Sequence, residues 1–269
     1  MRASRSAQVA GCMLAAFAAG SASPAHAQSS QAADQPILGA LAPANLAKPR
    51  PAPPFDLTGT WQHDLTDWDS WRFVPETFEL TPAAQRHYDA GRRAEAEGKL
   101  YRDDIGQCWP AGMPLIMTRV WPIDMIQLPT AVYMISHFMN AMRIVHLDGR
   151  PHSAPDVVVP SWNGESIGHW EDDALVIDTK YFPGHHHWID QGGASIPASD
   201  ELHIIERIRI VDDETMEIEY TMTDPKSWVG EWQTTKIFKR HHDVDITEVE
   251  CLPDLNENLP ATSSQSLVQ

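Results

Sequence analysis

The sequence predicts an all-β, mostly antiparallel domain closed into a barrel and carrying one surface helix. Three observations predict it. From residue 132 onward, β-prone runs follow one another at short spacing, a rhythm that belongs to sandwiches and barrels rather than to βαβ units. Met216, Ile218, Tyr220 and Met222 alternate with Glu217, Glu219, Thr221 and Thr223, the period of a strand with one wet face. Glu171-Asp172-Asp173-Ala174 and Val211-Asp212-Asp213-Glu214 place turn-tolerant acids between such runs, as hairpins require. Closure is favoured because it removes exposed strand edges.

The elements follow in order. Arg2 and Arg5, the apolar Val9–Ala22 stretch and Ala25-His26-Ala27 have the layout of a signal peptide cleaved after Ala27, so the mature protein is expected to be periplasmic or secreted. Val9-Ala10-Gly11-Cys12 also fits a lipoprotein box, but the hydrophobic segment lies on its far side. Residues 28–54, rich in Ala, Pro, Gln and Ser, read as a semi-extended tether. A barrel-like domain is expected over 55–254 and a disordered tail over 255–269. Thr81 as N-cap, Pro82 at the first helical position and Gly98 as stop mark a helix, too polar for a core and suited to a surface or a barrel end. Strands are expected at Val132–Met139, Met142–Leu147, Ser166–Glu171, Ala174–Thr179, Leu202–Val211, Thr215–Thr223, Trp232–Lys239 and Val244–Cys251.

A net charge of −17 disfavours nucleic acid and anionic membranes as partners, and no apolar run after the leader is long enough to span a membrane. Of three Cys, Cys12 leaves with the leader. In an oxidising compartment the remaining pair, Cys108 and Cys251, is expected to form a disulfide. The competing reading makes Cys108 a nucleophile, which needs a base and a depressed pKa.

Thirteen His and ten Trp supply the candidate chemistry. His169 and Glu171 share a strand face, because side chains two apart point the same way. His203, Ile205 and Arg207 share one face of another strand, while Leu202, Ile204, Glu206 and Ile208 share the other. Both faces cannot point inward without a bulge. Tyr133, Ile135, His137 and Met139 form one face of a further strand, next to the strand of Arg143 and His146. His185-His186-His187-Trp188, with Asp190, is the densest set of metal-ligand types. His185 and His187 have the spacing to share a zinc or copper ion if other strands complete the set; a polar surface loop is the alternative. The chain is read as having no hydrolase elbow, zincin helix or phosphate loop.

Gly59-Thr60-Trp61, within Phe55–Trp61, resembles the lipocalin opening, in which the Trp plugs one end of a calycin barrel. More broadly, Cys108-Trp109-Pro110-Ala111-Gly112-Met113-Pro114, Leu147-Asp148-Gly149-Arg150-Pro151-His152 and the string Ser166 to Thr179 resemble a family of exported, mostly uncharacterised bacterial proteins. The resemblance runs through Leu202–Arg207 and Asp224-Pro225-Lys226 to Cys251. It implies a barrel-like fold and no stated activity. Members often have Pro-His-Ser before the Leu-His strand, where this chain has Pro197-Ala198-Ser199, so a His role there does not carry over unless His185 to His187 replace it.

Two functions are expected to compete. The first is a lyase, isomerase or hydrolase acting by acid–base chemistry on a small apolar or aromatic molecule inside the barrel. Here His169 and His203 meet in one interior site with Glu206 or Glu171 as carboxylate, His169 is the base, and Arg207 or Arg143 stabilises a developing anion. Tyr133, His137, Trp170 and Trp188 line the cavity. The second is a lipocalin-like binding protein in which the same residues only orient a ligand.

Overall fold

In the computed structural model, residues 37–49, 55–66, 68–97, 108–189 and 196–251 are described. The segments expected as leader and tail, and about half of the one expected as a tether, lie outside them. Nine strands close into a barrel in sequence order: β1 Gly59–His63, β2 Ile123–Leu128, β3 Ala131–Ser136, β4 Met142–His146, β5 Glu165–Glu171, β6 Ala174–Lys180, β7 His203–Asp212, β8 Thr215–Thr223 and β9 Glu231–His241. Every neighbouring pair is antiparallel, β9 with β1 included, except β4 and β5. The exception is forced. Strand directions that simply alternate cannot match up around an odd ring, so nine strands need a parallel pair. That pair is joined by a crossover over residues 147–164, as parallel neighbours require, and only Val145↔Ser166 and His146↔Ile167 are in register.

The end containing Trp61 is sealed. Trp61 is fully buried, its indole N–H donates to the Leu57 carbonyl at 2.9 Å, and the Arg240 guanidinium stacks 4.1 Å over its ring. Arg240 in turn donates to the Thr58 and Asp213 carbonyls. A Cβ on Gly59, whose φ is +149°, would meet Arg240 Nη1 at 2.3 Å, so glycine there makes room for the seal. Inside, Met125, Met134, Val145, Ile177, Ile204, Ile208, Met216, Ile218, Met222 and Phe238 are buried and fill the lumen, each as one member of an alternating strand.

Two helices flank the barrel. α1, Pro43–Leu46, is a single turn with buried Asn45 bonded to the Gly39 carbonyl, so this part of the segment expected as a tether is folded. α2, Pro82–Ala96, begins as the sequence predicts: Thr81 Oγ1 accepts the Ala84 N–H at 3.3 Å. It is not wholly superficial, because Ala84, Ala90 and Ala94 are buried; small residues let a polar helix approach closely.

Two strand expectations fail for physical reasons. β2 went unpredicted because it inverts the usual pattern: Gln127 points inward, where its Oε1 accepts the Leu57 N–H at 3.0 Å, while Ile126 is 43% exposed. Residues 244–251 form no strand. With β9 already paired to β1, the barrel has no free edge to receive one. The segment is instead a strap held by the Asn140 side chain, which donates to the Thr247 carbonyl and accepts the Val249 N–H. It ends in the Cys108–Cys251 disulfide, which excludes Cys108 as a free nucleophile.

Candidate functional site

Arg143 and Glu206 alternate inward from β4 and β7 and form a buried ion pair. The guanidinium is saturated. Nη1 donates to Glu206 Oε1 at 3.0 Å and to Met134 Sδ at 3.9 Å, Nη2 donates to Glu206 Oε2 and to Thr179 Oγ1 at 2.9 Å, and Nε donates to Ser166 Oγ at 3.0 Å. Five N–H groups therefore meet five acceptors. Arg143 has no donor left for a developing anion, which corrects the role expected of it. The fully buried Tyr220 sits opposite Glu206 in register. Its hydroxyl has no hydrogen-bond partner among the described residues, and burial, with the Glu206 charge, pushes its pKa far up.

His169 and His203 do not meet inside. Both lie on the outer face of the barrel: the inward residues of β5 and β7 are Ser166, Gly168, Ile204, Glu206 and Ile208. Gly168 marks the close approach, since a Cβ there would meet Leu147 Cδ2 at 2.7 Å. In register, His169 aligns through Val176 with Arg207, four residues along β7 from His203, or about 13 Å at strand rise. The two rows have separate partners. His169 and Arg207 both bind Glu171, at 2.9 and 2.8 Å, as the shared strand face predicts. His203 binds Asp178 at 2.8 Å.

A carboxylate–imidazole chain grows from that second row, and sequence reading missed it. His152, on the crossover, places Nδ1 2.9 Å from Glu165 Oε2 and Nε2 3.2 Å from Asp178 Oδ1. Glu165 also accepts the Ser153 N–H and hydroxyl. Burial works to raise the Asp178 pKa, but the His203 hydrogen bond and the charges of His203, Lys180 and His152 hold it at about 2. Burial opposes Glu165 ionisation likewise, yet the Ser153 and His152 bonds keep its pKa below the ordinary value.

Where β4 and β5 diverge, a groove of about 520 Å³ opens through the wall. Pro110, Met142, Ile144, Val158, Val159 and Trp162 supply apolar walls; His146, Ser161, Asn163 and Glu165 are polar groups within it, and Arg143 and Ser166 form its floor. His146 is driven toward the neutral form by burial and by the Arg150 charge, and its Nδ1 has no hydrogen-bond partner among the described residues. Beneath lies an inner cavity of about 10 Å³ touching Ser136, Arg143 and Asn163, room for about one water. Trp162 is fixed by its indole N–H donating to the His186 carbonyl at 3.0 Å. A hollow of about 680 Å³ at the opposite end is acid-lined, but Asp56 and Asp212 cap their own turns through Thr58 and Glu214, and Glu214 holds His242.

The other expected site residues scatter. Tyr133 lies on the outer side of β3; His137 is buried 3.2 Å from Asp124; Trp170 packs on Phe55 and Trp188 stacks on His87. The three consecutive His diverge: His185 is exposed, His186 stacks on Trp109 at 4.1 Å, and His187 is buried with Nε2 on the Met113 carbonyl. Burial lowers the His187 pKa to about 4. Asp190 lies outside the described residues, and among those described no group of three or more His, Cys, Asp or Glu could hold a metal.

Gly164-Glu165-Ser166-Ile167-Gly168 does spell Gly-x-Ser-x-Gly, a match that the sequence reading passed over. Its context is wrong for a nucleophile. Ser166 is the second residue of β5, inward and bonded to Arg143 and Thr179, whereas the hydrolase elbow is a strand-to-helix turn that exposes its Ser.

Among the described residues no helix is long and apolar enough to cross a membrane. No family model matches this chain, and no curated protein matches it. The residues themselves therefore carry the functional reading.

Proposed function

We propose that this protein is a small-molecule-binding barrel, exported from the cytoplasm, whose binding site is the β4–β5 groove. One observation carries the reading: a hollow of ligand size with both apolar walls and polar groups lies where the closed sheet is least paired, while the lumen is packed with side chains. Such composition is what small-molecule sites use, with apolar walls for affinity and a few polar groups for orientation. The disulfide agrees with export, since such bonds persist in oxidising compartments.

Val159 is 85% exposed, so Val159→Asn leaves the fold intact. A thermal-shift screen of small molecules on the mature protein, repeated on this variant, tests the reading. Stabilisation that disappears with Val159→Asn supports the groove; ligands unaffected by both Val159→Asn and Trp162→Ala place the site elsewhere.

Acid–base catalysis is the second reading, and His146 is the observation that favours it. A neutral imidazole with an unengaged nitrogen lines the same groove as an ionised Glu165, the pairing a proton transfer needs. Under this reading His146→Asn abolishes turnover of a groove ligand and leaves its binding within a few-fold.

A further inference from the structure

We infer that the groove takes a lipophilic cation, an alkyl- or arylammonium whose apolar body lies on Val158, Val159 and Met142 and whose charge meets Glu165 and the face of Trp162. This rests on the binding reading above and adds the sign of the ligand's charge.

The argument is one of charge complementarity. An anion entering the groove needs a free cationic donor, and the floor guanidinium has none to offer: its five N–H groups are held by Glu206, Ser166, Thr179 and Met134, while the uncharged lining groups Ser161 and Asn163 already donate to the Gly164 and Met142 carbonyls. Arg150, whose charge reaches His146, does not line the groove and is paired with Asp148 through Nε and Nη2. His146 is held toward neutrality by burial. Lys180 lies on Asp178 at 3.3 Å, and His152 is set between two carboxylates, with Nδ1 2.9 Å from Glu165 and Nε2 3.2 Å from Asp178.

What remains is a lining carboxylate, Glu165, kept ionised and fixed by Ser153 and His152. The ring of Trp162 is partly exposed, oriented by its bond to the His186 carbonyl, and presents a π face that attracts cations. A bare metal ion is a poorer occupant, because a hard cation takes six or so oxygen ligands and the walls are mostly apolar. An ammonium on an apolar body satisfies both halves of the groove.

Three probes of equal chain length test this on the mature, disulfide-intact protein by titration calorimetry: octyltrimethylammonium, 1-octanol and octyl sulfate. The ammonium is expected to bind about tenfold tighter than the alcohol, and the sulfate more weakly than either. In Glu165→Gln, whose amide still accepts from Ser153, the ammonium falls to within about threefold of the alcohol. A readout on the unmodified protein guards against a folding defect in that variant: raising salt to about 1 M, where screening acts within about 3 Å, narrows the preference. An alcohol that binds as tightly as the ammonium, or a sulfate that binds more tightly, overturns the cation inference while leaving the groove reading in place, provided octanol binding is weakened by Val159→Asn. Failure of all three probes to bind, or binding indifferent to Val159→Asn, overturns both.

Discussion

β8 and β9 are in register over nine residue pairs, whereas β4 and β5 share two, and the two regions do opposite things with the same sheet. Along β8 and β9 a continuous ladder carries Met216, Ile218, Met222 and Phe238 into the core and leaves the outer face to polar side chains. At β4 and β5 the ladder gives out, and the wall becomes a groove floored by an ion pair whose donors are spent. The difference teaches where a packed barrel can host a ligand. It does so at the seam that the odd strand number imposes.

The largest effect is expected at the margin of the open region. Cys108 adjoins the groove wall at Pro110, and Cys251 ends the strap that Asn140 holds beside Ala141 and Met142. Cutting this tie by Cys108→Ser with Cys251→Ser should cost about 4 to 5 kcal/mol in the chain-entropy account of a long loop. Urea unfolding of the variant, against wild type with and without reductant, checks it. A loss below about 1 kcal/mol would mean that the unfolded chain gains little freedom.

Next comes the floor. Arg143→Met leaves Glu206 buried without its partner, and the expected loss is about 3 to 4 kcal/mol. Adding Glu206→Leu should recover most of it, since an apolar pair can replace a buried ion pair. If the double variant is no better than the single one, the pair does more than neutralise itself, and the floor is less inert than its saturated hydrogen bonds imply.

The smallest effect separates the regions by pH. His63, in the lumen, and His187, behind the groove wall at Gly112, are both brought to about 4, each chiefly by burial and His63 also by the Lys236 charge. A histidine with a depressed folded pKa contributes stability that is present above its unfolded value near 6.5 and is lost as pH falls through about 4. Between pH 7 and pH 5 each should contribute a loss on the order of 2 kcal/mol. Denaturation midpoints at pH 7 and 5 for His63→Gln and His187→Gln read the two separately. A variant whose pH dependence matches wild type means that the histidine it replaced has a folded pKa no lower than its unfolded one.

Legibility differed by level. Period-two alternation announced most of the strands, Thr81 and Pro82 the start of α2, and the acidic pairs both hairpins, because each is a local preference written in neighbouring residues. β2 escaped because Gln127 is inside and Ile126 outside, an arrangement justified only by the distant Leu57 N–H. The site was harder. His169 with Glu171 was legible from a shared face, and Glu206 was recognised as a candidate. The chain of Glu165, His152, Asp178 and His203 was not, because it joins the crossover to three strands.

By itself the sequence determined the local geometry: which residues alternate, where the chain turns, and that Gly59-Thr60-Trp61 belongs to the first strand. The tertiary structure alone decided which face of each strand is inside, since period two gives two faces and names neither. It sent Glu206 inward with Arg143, and His203 outward to Asp178. It also decided that residues 244–251 are a strap, because β9 found β1 and left no edge. The groove belongs to the same level: strand parity is a property of the closed ring, and only closure makes β4 and β5 parallel.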